Sequence, residues 1–302
     1  MSASRDSGQN RVVASPFLKW AGGKARLAPI IAARAPRAFR RYHEPFLGGG
    51  GVFFALEAAG RLESAVLNDA NAGLIECFTV VRDDVEALAG ELRPLAELYA
   101  SSGERARQQL YYECRAAVPE SPVGRAARLI FLNRTCYNGL YRVNRRGHFN
   151  VPHGRYRNPR ILDEPGLRAA SEALKGVELT CMDFEEACAA AGAGDFVYLD
   201  PPYQPLSATA SFTSYTAGDF GPGDQRRLRD AFESMVSRGA GVLLSNSEHE
   251  AIRELYEGRG HRLETVSMSR AINSVGTKRA PVAELLIYNP GKVEGCPQPG
   301  RP

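Results

Sequence analysis

The feature that most restricts the fold is an alternation of strand-like and helix-like segments that stops and later resumes. Residues 40–56, "RRYHEPFLGGGGVFFAL", pass from a short extended stretch through four glycines into an apolar, helix-like run. "SAVLND" then reads as a strand ending at Asp69, and "ANAGLIECFTVVR" as a helix. After about residue 78 the alternation ceases, and it returns near residue 177. There "VELTCMD" and "FVYLD" read as strands, "RRLRDAFESMVSR" as a helix, and "GVLLSN", "HRLETVSMS" and "AELLIYN" as further strands. Repeated strand–helix units imply an α/β domain around a largely parallel sheet. The interruption of about 100 residues is an insertion, mostly helical in pattern over 83–132, with breaks expected near Pro94, Gly103 and Pro119. Loop or hairpin follows, because the next segment is rich in Asn, Gly and Pro.

A chain of 302 residues has room for such a core domain and its insert. Hydrophobic residues at 44% and charged residues at 24% match an ordinary globular protein, so neither a fibrous nor a disordered chain is expected. No apolar run approaches the roughly 18 residues of a membrane span. The N-terminal "MSASRDSGQNR" lacks the apolar core of a secretory signal, so residues 1–15 read as a disordered lead and the location as cytoplasmic. The Pro/Gly-rich residues 292–302 read as a disordered tail. None of the six cysteines sits in a CxxC pair, so zinc and redox-motif readings have no support. Scattered thiols fit a reducing compartment.

Charge is distributed unevenly. Residues 121–160 hold nine arginines and no Asp or Glu. With a total of +4, the remainder of the chain carries −5. A compact basic segment is the footprint of a polyanion-binding surface, although a solvated basic face is the commoner fate of a charge run. Tyr137, Asn138, Tyr141, Asn144, Phe149 and Tyr156 are interleaved with the arginines, and such residues wedge, stack on or read bases.

Three motifs carry chemistry. Gly48 to Gly51 follow a strand and open a helix, where glycine admits positive φ and lets a ligand approach the backbone. Asp69, about twenty residues on, is placed to accept hydrogen bonds from ribose hydroxyls. The pair points to a nucleoside-containing cofactor without choosing among NAD, FAD and S-adenosylmethionine. "PFLKWAGGKARL", residues 16–27, is not a P-loop: the upstream glycine is missing and Ala25 stands where a magnesium-binding hydroxyl would be. Lys24 is a candidate partner for a carboxylate, with Trp20 packed over it. "FVYLDPPY", residues 196–203, ends a strand on Asp200, Pro201, Pro202 and Tyr203. An aromatic amino group is a poor nucleophile because its lone pair is delocalised into the ring. A carboxylate and a proline-fixed carbonyl accepting its hydrogens favour a pyramidal nitrogen, with little reorganisation as charge develops. Tyr203 offers a face on which an extruded base can stack.

These stretches, in this order, resemble the Dam-type (D12 class, alpha group) DNA adenine-N6 methyltransferases. The resemblance rests on "FLKWAGGK", "EPFLGGGGVF", "LNDAN", "LDPPYQPLSATASFTSY", "VLLSN", "SRAINSVGTKRAPVAELLIYNPG" and the hairpin-like "NRTCYNGLYRVNRRGHFNVPHGRY", and spans residues 16–291. It implies a Rossmann-like S-adenosylmethionine-dependent methyltransferase fold with a mostly parallel seven-stranded sheet. The catalytic domain would be 16–78 and 177–291. The inserted, mainly helical DNA-recognition domain would be 79–176, with a basic β-hairpin at about 133–160. It implies methyl transfer from S-adenosylmethionine to adenine N6 in double-stranded DNA at GATC, by base flipping and direct transfer without a metal. S-adenosylhomocysteine would be the product. Trp20, Lys24, Glu44, Phe46, Gly48, Gly50, Asp69, Asp183, Phe184 and Asp200 would line the cofactor site. Lys24 would meet the methionine carboxylate, Asp69 the ribose and Asp183 the adenine. Asp200, Pro201, Pro202 and Tyr203 would hold the target base. Tyr137 and Asn138 would fill the gap it leaves, Leu140, Arg142 and Pro152 would read outer base pairs, and Arg155 would lie near a phosphate. Lys19, Arg134 and Asn144 complete the expected DNA-contacting set.

His148 and His153 depart from the family pattern, which more often has an acid and an aromatic there, and they are expected as solvated loop histidines that gain charge below about pH 6.5. Rival readings fit less of the chain. A cytosine-N4 methylase would not need this hairpin, nor would an RNA or protein methylase. A non-catalytic DNA binder would not need Asp200 or Lys24. An NAD-dependent dehydrogenase explains the glycine turn and Asp69 alone. A monomer is expected, in a bacterium or phage. An orphan enzyme and one paired with a restriction endonuclease use the same chemistry.

Overall fold

The computed structural model describes residues 12–20, 24, 27–144, 146–203, 220–268 and 282–293. The lead before residue 12, Gly22, Gly23, Ala25, the loop after Tyr203, the "SRAINSVGTKR" stretch and the last nine residues lie outside the described residues. Among those described, α1 (Ala28–Arg34) precedes β1 (Arg41–Glu44), α2 (Gly51–Ala58), β2 (Ala65–Asn68) and α3 (Ala72–Asp83). Four helices follow: α4 (Val85–Ser101), α5 (Glu104–Ala116), α6 (Pro122–Thr135) and α7 (Glu164–Leu174). The chain then forms β3 (Glu178–Thr180), α8 (Phe184–Ala189), β4 (Asp195–Leu199), α9 (Pro222–Ser237), β5 (Gly241–Ser247), α10 (Glu250–Tyr256), β6 (Arg262–Met268) and β7 (Val282–Tyr288).

The strands form one sheet in the order β3-β2-β1-β4-β5-β7-β6. The pairs among β3, β2, β1, β4 and β5 are parallel, and β7 runs antiparallel to both β5 and β6. The period of two along a strand divides the core. Phe196, Tyr198, Leu243 and Leu286 face one apolar cluster, whereas Val197, Leu199, Val242, Leu244 and Leu285 face the other. Both faces are covered, which is why "FVYLD" and "GVLLS" read as continuous apolar runs.

The insert is not packed as a separate body. Leu88, Leu92, Tyr99, Phe131, Leu132 and Val151 belong to the same cluster as Phe17, Tyr42, Phe54 and Phe78. The boundary expected at residue 78 falls inside α3, which runs unbroken to Asp83. Gly103 and Pro119 lie at helix ends as expected, but Pro94 sits inside α4. A proline removes one backbone hydrogen bond. Here Leu88, Ala89, Leu92 and Tyr99 are buried along the same helix and hold it across the break. Residues 136–153 form no ladder; two isolated bridges, Cys136 with His153 and Val143 with Phe149, set a loose hairpin.

The switch in strand order falls between β1 and β4. In open α/β sheets that point opens a crevice at the carboxyl ends of the strands. Asn68 holds this end together. Its amide NH₂ donates to the carbonyls of Pro45 (3.0 Å) and Met182 (3.1 Å). Its oxygen accepts from the Thr180 hydroxyl and the Met182 N–H, each at 3.0 Å. One buried side chain therefore joins the ends of β1, β2 and β3. Replacing it with leucine strands these partners. Asn68→Leu is expected to lower the unfolding free energy by about 2–4 kcal/mol, read from urea denaturation at constant m-value.

Candidate active site

A cleft of about 530 Å³ opens at the switch point. Four of the five acidic residues on its wall sit at or just beyond the end of a parallel strand: Glu44 at β1, Asp69 at β2, Asp183 at β3 and Asp200 at β4; the fifth, Asp224, lies in α9. The expected cofactor set comes together here. Trp20, Lys24, Glu44, Phe46, Gly48, Asp69, Asp183, Phe184 and Asp200 line the cleft; Gly50 lies behind it as the N-cap of α2.

The glycine turn is shaped by backbone and by Trp20. Gly48 and Gly50 have φ of +48° and +69°. A Cβ on Gly48 would lie 2.9 Å from Trp20 Cδ1, and one on Gly49 3.1 Å from Trp20 Cβ. The Gly48 N–H donates to Asp69 Oδ2 at 2.9 Å, and Asp69 Oδ1 accepts from the Asn71 N–H at 2.9 Å. The motif pair read from spacing is thus one hydrogen-bonded unit. Burial pushes the Asp69 carboxyl up, and these two N–H groups oppose it.

At the catalytic end, Lys24 Nζ lies 2.9 Å from Asp200 Oδ1 and 3.9 Å from Glu284 Oε2. Ser245 of β5 donates to Asp200 Oδ1 at 3.2 Å and pairs with the Tyr198 hydroxyl at 2.7 Å. The Tyr203 hydroxyl donates to Glu284 Oε2 at 2.9 Å, and Lys24 Nζ sits 4.5 Å from the Tyr203 ring centre. Burial pushes the Asp200 carboxyl up; Lys24 pulls it back, Glu284 adds to the rise, and Ser245 lowers it. Pro201 and Pro202 line the cleft beside them. Ser245 and Glu284 escaped the motif reading because each reaches Asp200 or Tyr203 only across the sheet. The one available signal was a polar residue inside the apolar runs "VLLSN" and "AELLIYN".

The opposite end is aromatic. Phe46 and Phe184 stack at 5.3 Å with 28° between planes, and Phe220 meets Phe46 edge-on at 5.9 Å. Asp183 caps α8 through the Glu185 N–H and pairs with Arg227 at 2.7 Å. Arg227 also binds Glu185 and Asp224. Phe220 and Arg227 carry no local motif and were not foreseen.

The basic segment is divided by the fold. Arg125 pairs with Glu76 at 2.6 Å, Arg128 donates to the carbonyls of Cys114 and Arg115, and Arg160 pairs with Asp163. Arg134 donates to the Phe17 carbonyl at 2.7 Å and is largely enclosed, so it ties α6 to the N-terminal strand-like segment rather than facing outward. Among the described arginines of the segment, Arg146, Arg155, Arg157 and the paired Arg160 are exposed, and Arg142 is half-buried. Arg142 Nε donates to Asn150 Oδ1 at 2.7 Å. Tyr137 is 50% exposed, Asn138 beside it has φ of +55°, and Pro152 accepts from the Tyr137 N–H. Leu140 is half-buried, and Asn144 commits its side-chain oxygen to the Arg146 and His148 N–H groups, shaping the turn. Lys19 Nζ lies 4.3 Å from the Tyr156 ring centre. His148 is exposed as expected, but His153 is not a solvated loop histidine. Its Nε2 is 2.9 Å from the Tyr99 hydroxyl, its ring packs on Tyr99 and Tyr111, and burial lowers its pKa. It therefore stays uncharged further into the acid range than a free histidine.

The sheet order, its antiparallel seventh strand and the acidic cleft at the switch point define the Rossmann-like fold of the S-adenosylmethionine-dependent methyltransferases. A sequence profile of the D12 class N6 adenine-specific DNA methyltransferases matches residues 20–272, and the chain belongs to that family. It is accordingly an adenine-specific DNA methyltransferase. It is 43% identical over 286 residues to the type II methyltransferase M.MjaIII of Methanocaldococcus jannaschii, covering 91% of this chain and 98% of the relative. It is 37% identical over 280 residues to the DNA adenine methylase of Escherichia coli K12, covering 92% and 96%. The DNA N-6-adenine-methyltransferase of Escherichia phage P1 is 36% identical over 274 residues, 89% of this chain and 35% of that longer protein. Among the described residues, no helix is long and apolar enough to cross a membrane.

Glu44 gives the site a testable pH signature. Burial pushes its carboxyl up to about 8 from an ordinary 4.5; Tyr42 and Phe53 oppose this through hydrogen bonds, and Asp200 and Asp69 add to it. Between those values the folded chain holds a proton that the unfolded chain releases. Stability is therefore lost as pH rises through this window and levels off above it. Glu44→Gln keeps an acceptor for Tyr42 and Phe53 and removes the titration. The melting temperature of the variant relative to the parent is expected to climb between about pH 5 and pH 8, by up to ~1 kcal/mol per pH unit in stability. A constant difference across that range would refute the assignment.

Proposed function

We propose that this enzyme transfers a methyl group from S-adenosylmethionine to N6 of the adenine in GATC within duplex DNA, after rotating that adenine out of the helix. The observation that carries the reading is the Asp200 cluster on the wall of an acidic, partly aromatic cleft. S-adenosylmethionine supplies an activated methyl on a sulfonium and leaves as S-adenosylhomocysteine. The chain's residues fit it: a cradle that a Cβ on Gly48 would fill, carboxylates suited to a cation, and an aromatic end suited to a purine. Trp20, Glu44, Gly48 and Gly50 would hold its methionine half, with Lys24 on the carboxylate. Asp69 would take the ribose; Asp183, Phe184 and Phe46 would take the adenine.

Asp200 and the Pro201 carbonyl accept hydrogen bonds from the target amino group and draw its nitrogen toward a tetrahedral shape. Pro202 fixes the turn. Tyr203, its hydroxyl held by Glu284, presents its ring to the base. Turning Lys24 toward a cofactor carboxylate leaves Asp200 for the amino group. Positioning and fixed charge do the catalytic work. Residues 16–78 with 177–291 form the catalytic part, and 79–176 the reading part. Within the latter, Tyr137 and Asn138 fill the vacated stack, while Leu140, Arg142 and Pro152 face the outer base pairs. Arg142 suits guanine O6 and N7. Lys19, Asn144 and Arg155 complete the contact, and Arg134 is left to its structural tie.

Methyl transfer from labelled S-adenosylmethionine separates the alternatives. Label is expected in a duplex with one unmodified GATC, not in GTTC or in GATC already methylated on both strands. Asp200→Ala is expected to lose about 10²-fold or more in rate. Arg142→Ala is expected to narrow the preference for the outer guanine by about 1–3 kcal/mol. Equal label in GATC and GTTC would remove the GATC assignment. With 2-aminopurine at the target position, wild type is expected to raise fluorescence and Tyr137→Ala to raise it less; no rise with wild type would argue against flipping.

A further inference from the structure

Tyr141 stands among the aromatics that the sequence pattern directs toward bases, yet the fold turns it inward. Its ring stacks on Trp20, with centres 4.9 Å apart and planes 26° apart. Its edge meets Phe149 of the reading segment at 5.8 Å and 72°. Its hydroxyl interacts with the Asn71 side chain beside Asp69, which opposes the rise that burial gives its pKa. Asn71 Oδ1 accepts from the Leu74 N–H at 3.1 Å, fixing that side chain at the start of α3. Burial keeps that phenol neutral.

One side chain thus touches both walls of the cofactor cleft: Trp20, which closes over the glycine turn, and the Asp69–Asn71 corner. Covalently it lies between Leu140 and Arg142. A second link runs in parallel through the backbone. Asn133, fully buried in α6, accepts from the Lys19 N–H (2.8 Å) and donates to the carbonyls of Lys19 (2.7 Å) and Gly139 (3.3 Å). A Cβ on Gly139 would fall 2.4 Å from Lys19 Cδ, so the reading turn and the residue preceding Trp20 are in direct contact.

We propose that Tyr141 is the positioning residue that couples the cofactor cleft to the target-reading segment, so that a filled cleft sets the register of Leu140 and Arg142 on DNA. The inference rests on the cofactor and DNA sites proposed above. A cofactor seated against Trp20 and Asp69 restricts both partners of the Tyr141 ring and hydroxyl. Restricting Tyr141 restricts its sequence neighbours. Such coupling is reciprocal: DNA must tighten cofactor binding by the same factor by which cofactor tightens DNA binding. A side chain that only fills space would, when removed, weaken the two binding events and leave their ratio alone.

The test is the ratio of dissociation constants for a fluorescent duplex with one unmodified GATC, measured by anisotropy on the full chain with and without saturating S-adenosylhomocysteine. Calorimetric titration of S-adenosylhomocysteine with and without the duplex gives the reciprocal ratio. Wild type is expected to show a ratio of about tenfold, Tyr141→Leu a ratio within about twofold of one, and Tyr141→Phe a value between them. Tyr141→Phe keeps the ring that stacks on Trp20 and loses only the hydroxyl, so it carries the test if the leucine variant does not fold. A wild-type ratio near one, or ratios unchanged in the variants, would overturn the proposal. If wild type also transfers no label to DNA, the underlying site reading fails with it. A labelling-competent wild type with unchanged variants overturns the Tyr141 assignment alone.

Discussion

The whole site depends on one electrostatic constraint: carboxylates gathered at one edge of a parallel sheet must be partnered or left protonated. Glu44, Asp69, Asp183 and Asp200 converge there because β1, β2, β3 and β4 all point the same way. Each meets the constraint differently. Asp69 accepts two backbone N–H groups, Asp183 has a helix N-terminus and Arg227, and Asp200 has Lys24 and Ser245. Glu44 has only neutral donors and retains its proton to about 8. A wall with this excess of acid is adapted to a ligand that brings positive charge of its own.

Sharing one apolar core binds the insert to the sheet. Helices α4 to α7 share the apolar cluster that includes Tyr42, Phe196 and Tyr198. Polar ties reinforce the joint: Asn133 to Lys19, Arg134 to Phe17, Tyr141 to Trp20. An insert hung on a linker would bind DNA independently of the cleft. This one shares the apolar core and reaches the segment that carries Trp20, so it cannot move apart from that segment without breaking buried contacts.

The basic segment shows how composition can overstate a surface. Nine arginines without an acid read as a single face. On α6, however, Arg125, Arg128 and Arg134 satisfy carbonyls and a carboxylate of the chain itself. A guanidinium with five donors is well suited to closing helix ends and loops. Among the described residues, the arginines left exposed are fewer than the nine of the sequence.

Much of the architecture was legible because local signals are strong where both sheet faces are buried. The strands in "FVYLD" and "GVLLSN" were marked by apolar runs, and the ends of strands by Asp69, Asp183 and Asp200. The glycine turn and the Asp-Pro-Pro-Tyr turn were legible because backbone geometry demands those residue types. Pro94 and His153 were misread because helix continuity and burial there are set by packing from distant segments. Thus the sequence by itself determined the fold class, the order of strands and helices and the family, since these follow from periodicity and contiguous motifs. Only the tertiary structure decided that Ser245 and Glu284 join Asp200 and Tyr203, that Asn68 ties three strand ends, and that Tyr141 turns from the reading surface to Trp20. Those are contacts between residues far apart in the chain, and no local pattern encodes which of them will meet.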